Sequence, residues 1–390
     1  MKRILLHIGG GKCGSSSLQK TLTFNPDFGY TGGGPSPINY WLLVDGKAQK
    51  STQVSVPQVG PDYLASGLFS WSEDTEPCIH TFLKPLIDQL SNDEVAIVSC
   101  EGLSFQFARF LSKFESQCTC SVKNEVDVVI LLITRDIFDW VESSFYQWGL
   151  WESLPFEKWL ENPDTHTIFQ LGLCAKTAMQ MGCDKIVVHH LKQSSLLDPI
   201  YAILRDWGYQ RELFSPIDTL TTNIRASLDE IRLEKRNPGL REIHDPRIEF
   251  LLAQLRIEHK LPADSPPHFL TPEIMQYIIK TFSDDRELLK DFCTQETRGY
   301  LNSEFNSERI DMIKYRDPKR DPDDLLVEQP SGDYLEKLAA VLLKIVRDQE
   351  DFRDVIVERD LAIFERDAVL NSHIWTITRF LRILRSKLPI

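Results

Sequence analysis

The stretch His7-Ile-Gly-Gly-Gly-Lys-Cys-Gly-Ser-Ser-Ser-Leu-Gln19 decides the predicted fold. It follows the apolar run Ile4-Leu5-Leu6, which is short enough to be one buried strand of a parallel sheet. Residues 15–22 contain no glycine or proline, and they predict a helix capped by a serine. A strand, a glycine-rich turn and a helix N-terminus in this order predict an anion site, because their backbone N–H groups point at one place. Lys12 adds a full positive charge to that site.

The position of the lysine distinguishes this turn from the nucleotide P-loop. In the P-loop motif the lysine follows the last glycine and directly precedes a serine or threonine. Lys12 instead precedes Gly14-Ser15-Ser16. A turn that merely joins a strand to a helix is the alternative interpretation of the same residues.

A second motif follows another apolar run. Residues 128–133, Val-Val-Ile-Leu-Leu-Ile, predict a buried strand. Thr134 and then Arg135 follow it. Arg135 is therefore expected at the carboxyl end of a strand, where ligands of open α/β sheets bind. Ser143 lies about two helical turns further on, so both side chains could reach one phosphate group. Considered alone, Arg135 could also be a solvated charge at a strand end.

Together, the two motifs resemble those of the sulfotransferases of bacterial type that use 3′-phosphoadenosine 5′-phosphosulfate (PAPS). The resemblance implies transfer of a sulfuryl group from PAPS to an acceptor hydroxyl, with 3′-phosphoadenosine 5′-phosphate as the product and no metal. It implies that Lys12 acts on the bridging oxygen of the leaving phosphate and that Arg135 and Ser143 bind the 3′-phosphate. The residues it implies for the 5′-phosphosulfate are Gly11, Lys12, Cys13, Gly14, Ser15, Ser16 and Ser17.

Transfer to a hydroxyl needs a base that takes the hydroxyl proton. The predicted strand 94–99 is followed by Cys100 and Glu101, and the Ser-x-Glu pattern is similar to that of bacterial sulfotransferases. Glu101 is therefore the first candidate for the base, and a carboxylate that only favours a helix N-terminus is the alternative. His7 is the rival base, although a buried histidine bonded to the backbone is the commoner fate of such a residue.

Composition limits the remaining classes of function. The chain has 390 residues, enough for one large or two ordinary domains. Its hydrophobic content of 42% and charged content of 26% are typical of a soluble globular protein. The formal net charge of −13 argues against nucleic acid as a partner, but leaves room for a local basic site that binds an anionic ligand.

The N-terminus predicts a cytoplasmic protein. Lys2-Arg3 precede too few apolar residues for a signal peptide, and no apolar run is long enough to span a membrane. The eight cysteines show no paired metal spacing, so no metal site is predicted. Without an export signal, we expect the cysteines to be free thiols.

Three other stretches carry weaker predictions. Residues 25–75 are rich in glycine, proline and aromatic side chains, and they predict a long irregular insertion that could form part of an acceptor-binding wall, with a disordered excursion as the alternative. Aromatic residues between Trp148 and Trp159 predict core packing, with a platform for a sugar or lipid acceptor as the alternative. His189 and His190 are neighbours in a predicted strand, so one core and one exposed histidine are expected.

The C-terminal part predicts a separate helical region. A charged, proline-containing linker at 317–332 follows a catalytic domain at 1–316, and a helical tail occupies 333–390. Apolar residues of the tail lie at or near a spacing of three and four positions in alternation, which Gln349, Arg359 and Arg366 interrupt: Leu335, Leu338, Leu342, Ile345, Phe352, Ile356, Ile363 and Leu370. This face could pair two chains in a coiled coil or pack on its own domain. The basic segment 374–390 fits a peripheral contact with a membrane or a groove in a partner protein.

The predicted fold is thus α/β, a parallel central sheet flanked by helices with a long C-terminal helical extension. The predicted function is PAPS-dependent sulfotransferase, and the acceptor hydroxyl is expected on a carbohydrate or glycolipid. Two alternatives stay open. One is a kinase or hydrolase with a variant P-loop, for which Asp136 is the candidate Mg²⁺ ligand; the other is a non-catalytic scaffold that acts through its helical tail.

Overall fold

The computed structural model describes most of the chain. The described residues are 1–44, 46–56, 63–66, 78–100, 102–110, 126–152, 154–220, 226–237, 247–262, 264, 268–314 and 329–357. By its internal contacts the chain divides into two compact units. The sheet unit contains residues 1–56, 63–223 and 269–317, and the helical unit contains residues 57–62, 224–268 and 318–390.

The described part of the sheet unit contains a six-stranded, mostly parallel sheet. Its strands are β1 (Lys2–His7), β2 (Ile38–Val44), β3 (Lys47–Lys50), β4 (Val95–Ser99), β5 (Val126–Thr134) and β6 (Lys185–His190). The spatial order is β3-β2-β4-β1-β5-β6, and β3 pairs antiparallel to β2 at one edge. The prediction of an α/β protein with a parallel sheet is confirmed at this level.

The described residues of the two units also contain helices. Their bounds are α1 (Ser15–Phe24), α2 (Ile79–Phe82), α3 (Lys84–Ile87), α4 (Leu103–Phe110), α5 (Ile137–Gln147), α6 (Phe156–Glu161), α7 (Pro163–Phe169), α8 (Leu171–Gln180), α9 (Asp198–Asp206), α10 (Leu228–Arg236), α11 (Arg247–His259), α12 (Pro272–Lys290), α13 (Gln295–Glu304), α14 (Ser307–Lys314) and α15 (Gly332–Val357). Short 3₁₀ turns lie at Ser51–Gln53, Gly149–Trp151 and Arg211–Leu213. None of the helices in the described part is both long and apolar enough to cross a membrane.

The central strands are buried on both faces. Every residue of β4 is buried, and β5 is buried except for Asp127. Strands covered on both faces read as continuous apolar runs, which explains why the sequence predicts β1, β4, β5 and β6 correctly. The same cover buries both members of the histidine pair, since His189 and His190 face opposite sides of an enclosed sheet. The prediction of one exposed histidine is therefore wrong.

The predicted irregular insertion contains two strands of the sheet. Within residues 25–75, the segment Ile38-Asn-Tyr-Trp-Leu-Leu-Val44 pairs parallel to β4 from Ile38 to Trp41. Glycine and proline flank this apolar run and hide it in the composition of the whole stretch. The prediction of an irregular insertion is therefore wrong for β2 and β3.

The aromatic residues after α5 form part of the core. The rings of Phe145 and Phe156 have centroids 4.8 Å apart in an edge-to-face arrangement, and Trp159 also packs on Phe145. Phe156 and Trp159 are buried. Core packing is thus the role of these two rings, whereas Trp148 lies elsewhere, against the glycine-rich turn.

One cysteine departs from the expected thiol chemistry. Cys13, Cys100, Cys174, Cys183 and Cys293 are free thiols, whereas Cys78 is disulfide-bonded. The prediction of free thiols is therefore wrong at Cys78. A disulfide depends on which residues the fold brings within bonding distance, and the spacing of cysteines along a sequence does not contain that information.

The helical unit has a hydrophobic core of its own. Leu233 of α10 and Leu252 and Leu255 of α11 cluster with Tyr334, Leu338 and Leu342 of α15. The start of α15 is fixed by Ser331, whose N–H and hydroxyl both donate to the carboxylate of Asp229, at 2.9 and 2.7 Å. Internal contacts therefore group residues 224–268 with the C-terminal helix. The boundaries proposed from the sequence instead place these residues in the domain at 1–316.

Candidate functional site

The glycine-rich turn lies between β1 and α1, at the carboxyl edge of the sheet. Lys12 and Gly14 both have left-handed backbone conformations, with φ of 68° and 91°. The N–H of Cys13 donates to the carbonyl of Gly10 at 3.2 Å and closes the turn. Backbones that include left-handed residues of this kind form concave nests of N–H groups, which bind anions. A lysine with positive φ is also strained, so its surroundings must hold it in place.

Helix α1 begins at Ser15, but a serine does not cap it. The N-cap residue is Gly14, and no side chain of the described residues caps the helix. The predicted serine cap is therefore wrong, because the turn needs a left-handed residue at that position and glycine adopts this conformation without strain. The amides of Ser15 and Ser16 lie in the first turn, where N–H groups have no acceptor within the helix. They can donate to an anion bound in the turn.

The serine side chains of the motif face different ways. Ser15 and Ser17 are buried, and so is the neighbouring Cys13. Ser16 is half-buried and accepts a hydrogen bond from the hydroxyl of Tyr63 at 3.1 Å. Of the three predicted serine hydroxyls, that of Ser16 is thus the most open to a ligand.

Two tryptophans pack on the turn. The indole Nε1 of Trp140 donates to the carbonyl of Gly11 at 2.6 Å, and its ring fills the space that a side chain at Gly10 would need. A Cβ atom at Gly11 would lie 2.6 Å from Cη2 of Trp148, which is too close for any real Cβ. Glycine is therefore required at both positions by the rings of α5 and the residue after it, as well as by the shape of the turn.

Arg135 meets the glycine-rich turn. It follows Thr134, the last residue of β5, and its Nη1 donates to the backbone carbonyl of Lys12 at 3.3 Å. The two residues are 123 positions apart in the sequence. The structure therefore brings the first predicted motif and the arginine of the second one to the same place at the edge of the sheet.

Ser143 lies on α5, the helix whose Trp140 contacts the turn. It is half-buried and comes one turn after Asp139, on the same side of the helix. Asp136 forms the N-cap of α5, and its carboxylate accepts from the N–H groups of Phe138 and Asp139. This cap fixes the start of α5 directly after Arg135. It therefore also fixes the path of the helix that carries Ser143.

His7 lies beneath the turn and is fully buried. Its Nδ1 is 2.8 Å from the hydroxyl of Ser99, which also accepts from the side-chain amide of Gln19 at 3.1 Å. Burial lowers the pKa of His7 to about 3. The ring is thus neutral and enclosed, which does not suit a base that must reach an acceptor hydroxyl.

Glu101, the first candidate for the base, lies outside the described residues. The preceding residue is placed: the N–H of Cys100 donates to the carbonyl of His7 at 2.9 Å, so the carboxyl end of β4 lies beside that of β1.

A buried polar cluster supports Arg135 from behind. Arg286 of α12 donates to the hydroxyl of Thr134 at 2.7 Å and to the carbonyl of Arg135 at 2.8 Å. Its Nε lies 3.3 Å from a carboxyl oxygen of Glu304, and His190 lies 3.8 Å from the other oxygen. Burial raises the pKa of Glu304 to about 8 and lowers that of His190 to about 4. At neutral pH the arginine is therefore the main charge of this cluster.

Further charges lie at the start of α5. Arg309 of α14 donates from Nε to Asp136 and lies with Nη2 2.9 Å from Asp139. Burial acts to raise the pKa of Asp136, but the hydrogen bond and charge of Arg309, the N–H of Asp139 and the charge of Lys192 together hold that pKa below its usual value. Lys192, after β6, lies 3.6 Å from the other oxygen of Asp139. Cations from several elements thus surround the end of β5.

The sequence did not indicate the supporting residues. Trp140, Arg286, Arg309 and Lys192 were indicated by no motif, Trp148 was noted only as part of an aromatic cluster, and Arg286 is 151 positions from the Arg135 carbonyl that it holds. Only one signal was available: three consecutive glycines indicate a backbone against which something packs closely. That signal does not say which side chain packs there.

No cluster of His, Cys, Asp or Glu side chains within the described ranges could hold a metal ion. In comparisons with known proteins, no family model matches the sequence, and no curated protein matches it.

Proposed function

We propose that this chain is a PAPS-dependent sulfotransferase that transfers a sulfuryl group to an acceptor hydroxyl. One observation carries the proposal: Arg135 donates to the carbonyl of Lys12, so the two groups expected to bind opposite ends of one doubly phosphorylated adenosine are adjacent. Strands β1 and β5 are parallel neighbours in the sheet, so the residues that follow them meet at its carboxyl edge although they are 123 positions apart in the sequence. The carboxyl edge of a parallel sheet is where α/β folds bind their ligands.

The chemistry of the donors fits the proposed co-substrate. The amides of Ser15 and Ser16 and the side chain of Lys12 would hold the 5′-phosphosulfate, and Arg135 and Ser143 would hold the 3′-phosphate. In the transfer, an oxygen–sulfur bond to the acceptor forms while the bond between sulfur and the bridging phosphate oxygen breaks. Charge then builds on that phosphate oxygen, and a lysine placed there stabilises the transition state more than the ground state. We propose Glu101 as the base that takes the acceptor's proton.

The kinase or hydrolase alternative is less well supported. It needs a carboxylate that can bind Mg²⁺, and Asp136 was its candidate. Oδ1 of Asp136 caps α5, and Oδ2 accepts from Arg309 at 2.9 Å, so both oxygens have protein donors. The proposed donors to the phosphates are cations and amides, which suits a transfer that needs no metal.

The acceptor and partners stay proposals from the sequence. We propose a carbohydrate or glycolipid hydroxyl as the acceptor. A peripheral membrane contact or a homo-oligomer through residues 333–390 is also proposed, and residues 358–390 lie outside the described part of the chain.

Binding of the product tests the proposal without knowledge of the acceptor. We expect calorimetric titration with 3′-phosphoadenosine 5′-phosphate to show saturable binding, and Lys12→Ala to weaken it by about tenfold or more through loss of one charged contact. Lys84→Ala is the control, because Lys84 is exposed and its ammonium pairs with the carboxylate of Asp88, one helical turn further on, at 2.9 Å. A folded wild-type protein that does not bind this nucleotide would overturn the proposal. If binding is found, candidate acceptors are screened with labelled PAPS.

A further inference from the structure

The loop after β6 borders both parts of the candidate site. The N–H of Leu191 donates to the carbonyl of Thr134 at 2.8 Å, which places the loop beside Arg135. Side chains of Leu191 and Leu196 lie 3.1 Å from the position that a Cβ of Gly14 would occupy. The loop therefore packs against the glycine-rich turn on one side and follows the end of β5 on the other.

The backbone of this loop is held in place at Lys192. The N–H of Lys192 donates to Nδ1 of His190 at 3.2 Å, and the ring of His190 stacks on Tyr300 with centroids 4.8 Å apart. The side-chain Nε2 of Gln193 donates to the carboxylate of Glu296 at 2.8 Å, and the side-chain Oε1 of Gln193 accepts from the hydroxyl of Thr297 at 2.9 Å. Helix α13 thus anchors the residues on both sides of Lys192, so the backbone position from which this side chain extends is set by the fold.

The side chain of Lys192 points toward the helix that carries Ser143. Its Nζ lies 3.6 Å from Oδ2 of Asp139, one turn before Ser143 on the same side of α5. Half of the side chain, 52%, is exposed to solvent. Asp139 has a closer partner in Arg309, at 2.9 Å. Lys192 can therefore leave Asp139 for a ligand without leaving that carboxylate unpaired.

We propose that Lys192 is a further ligand of the 3′-phosphate and sets the preference of the site for a 3′-phosphorylated nucleotide. This inference rests on the proposed function, since it extends the pair Arg135 and Ser143 by a third donor. A 3′-phosphate carries close to two negative charges, which one arginine and one hydroxyl neutralise only in part. An ammonium group on a flexible stem supplies the remaining charge without a fixed geometry.

The test compares two nucleotides that differ only in the 3′-phosphate. Calorimetric titrations of the full chain use 3′-phosphoadenosine 5′-phosphate and adenosine 5′-monophosphate, at one fixed salt concentration. We expect the wild type to prefer the first. Lys192→Gln is expected to lower the affinity for 3′-phosphoadenosine 5′-phosphate by about tenfold, the effect of losing one charged contact. The affinity for adenosine 5′-monophosphate is expected to stay unchanged. Lys192→Arg, which keeps the charge, is expected to retain most of the preference.

The chain offers a closely matched control. Lys185 lies at the opposite end of the same strand, is also 52% exposed, and pairs with Asp206 at 2.7 Å. Lys185→Gln is expected to leave both affinities unchanged. If Lys192→Gln retains the wild-type preference, or lowers the affinities for both nucleotides equally, the proposed role of Lys192 is overturned while the proposed function stands. If the wild type binds neither nucleotide, the proposed function itself fails, and the inference fails with it.

Discussion

At the residue scale, the candidate site depends on Arg286, a side chain that no motif indicates. Arg286 is almost fully buried and donates to the hydroxyl of Thr134 and to the carbonyl of Arg135. Its guanidinium also lies 5.6 Å from the ring centroid of Trp140, the residue that holds the carbonyl of Gly11. One arginine of α12 thus supports both parts of the site, the end of β5 and the helix that packs on the glycine-rich turn.

We expect Arg286→Met to lower the free energy of unfolding by about 2–5 kcal/mol. The substitution leaves the buried hydroxyl of Thr134 and the partly buried carbonyl of Arg135 without this donor and removes the charge that lies 3.3 Å from Glu304. Each orphaned buried polar group costs about 1–3 kcal/mol. Denaturant unfolding followed by circular dichroism measures the change. Binding of 3′-phosphoadenosine 5′-phosphate should also weaken, because Arg135 loses the support of its backbone.

The control for this substitution is Arg298→Met on α13. Arg298 is exposed and donates from Nε to the carbonyl of Lys290 at 2.8 Å. An exposed substitution of this kind usually changes stability by less than about 0.5 kcal/mol. Equal effects of the two substitutions would show that the buried cluster does not stabilise the end of β5.

At the scale of elements, the sequence predicts what local pattern determines and misses what packing determines. The buried strands β1, β4, β5 and β6 are continuous apolar runs, so their positions follow from the sequence. Strand β2 is a similar run, but its glycine- and proline-rich flanks favoured an irregular interpretation. Lys12 and Arg135 were predictable because each follows a strand directly. Their supports were not, because a contact across more than a hundred positions leaves no periodic signal in one sequence.

Helix α15 shows the same limit. Its apolar spacing predicts an amphipathic helix, but the spacing alone does not say whether the apolar face meets a second chain or the same chain. Within the helical unit, Leu338 and Leu342 pack with Leu233, Leu252 and Leu255. The first turns of the face are thus used inside the chain. Side chains beyond Ile345 on α15 are outside the described ones, and pairing through them stays a proposal.

We expect Leu338→Ala to destabilise the helical unit by about 2–5 kcal/mol, the usual cost of a cavity left by a buried leucine. The matched control is Leu343→Ala on the same helix, because Leu338 is fully buried and Leu343 is 60% exposed. Hydrogen exchange measured by mass spectrometry on peptides from 332–357 reports the local effect. Faster exchange is expected for Leu338→Ala only, and equal protection in both variants would contradict the packing of this face.

At the scale of the whole molecule, an acidic protein concentrates positive charge at one site. The formal net charge is −13, yet Lys12, Arg135, Lys192 and Arg309 all lie near the carboxyl ends of β1, β5 and β6 or the helices that follow. Two of these cations also contact Asp139, which keeps the local charge moderate until a ligand arrives. A nucleotide with phosphates at two positions is the anionic ligand that we propose for this edge. Buried Glu304 adds no full negative charge at neutral pH, because burial raises its pKa to about 8.

The raised pKa of Glu304 makes the stability of the whole protein depend on pH. In the unfolded chain this carboxyl has its ordinary pKa of 4.5, so between about pH 4.5 and 8 the folded protein holds a proton that the unfolded chain has released. The contribution of Glu304 to stability is therefore fully present below pH 4.5 and is lost as the pH rises through about 8. Burial lowers the pKa of His7 and His190, so these rings act in the opposite direction and reduce stability as the pH falls below about 6.5.

Glu304→Gln isolates the contribution of the carboxyl from that of the histidines. The amide cannot titrate, so the unfolding temperature of this variant minus that of the wild type is expected to increase steadily from pH 5 to pH 8 and then to level off. Differential scanning calorimetry at intervals of half a pH unit measures the difference. Asn302→Gln, at an exposed position on α13, is the control: it alters no titrating group, so its difference from the wild type should not change with pH. A flat difference for Glu304→Gln as well would mean that Glu304 is already ionised at pH 5, and that the cluster behind Arg135 holds a charged pair instead of a neutral carboxyl beside an arginine.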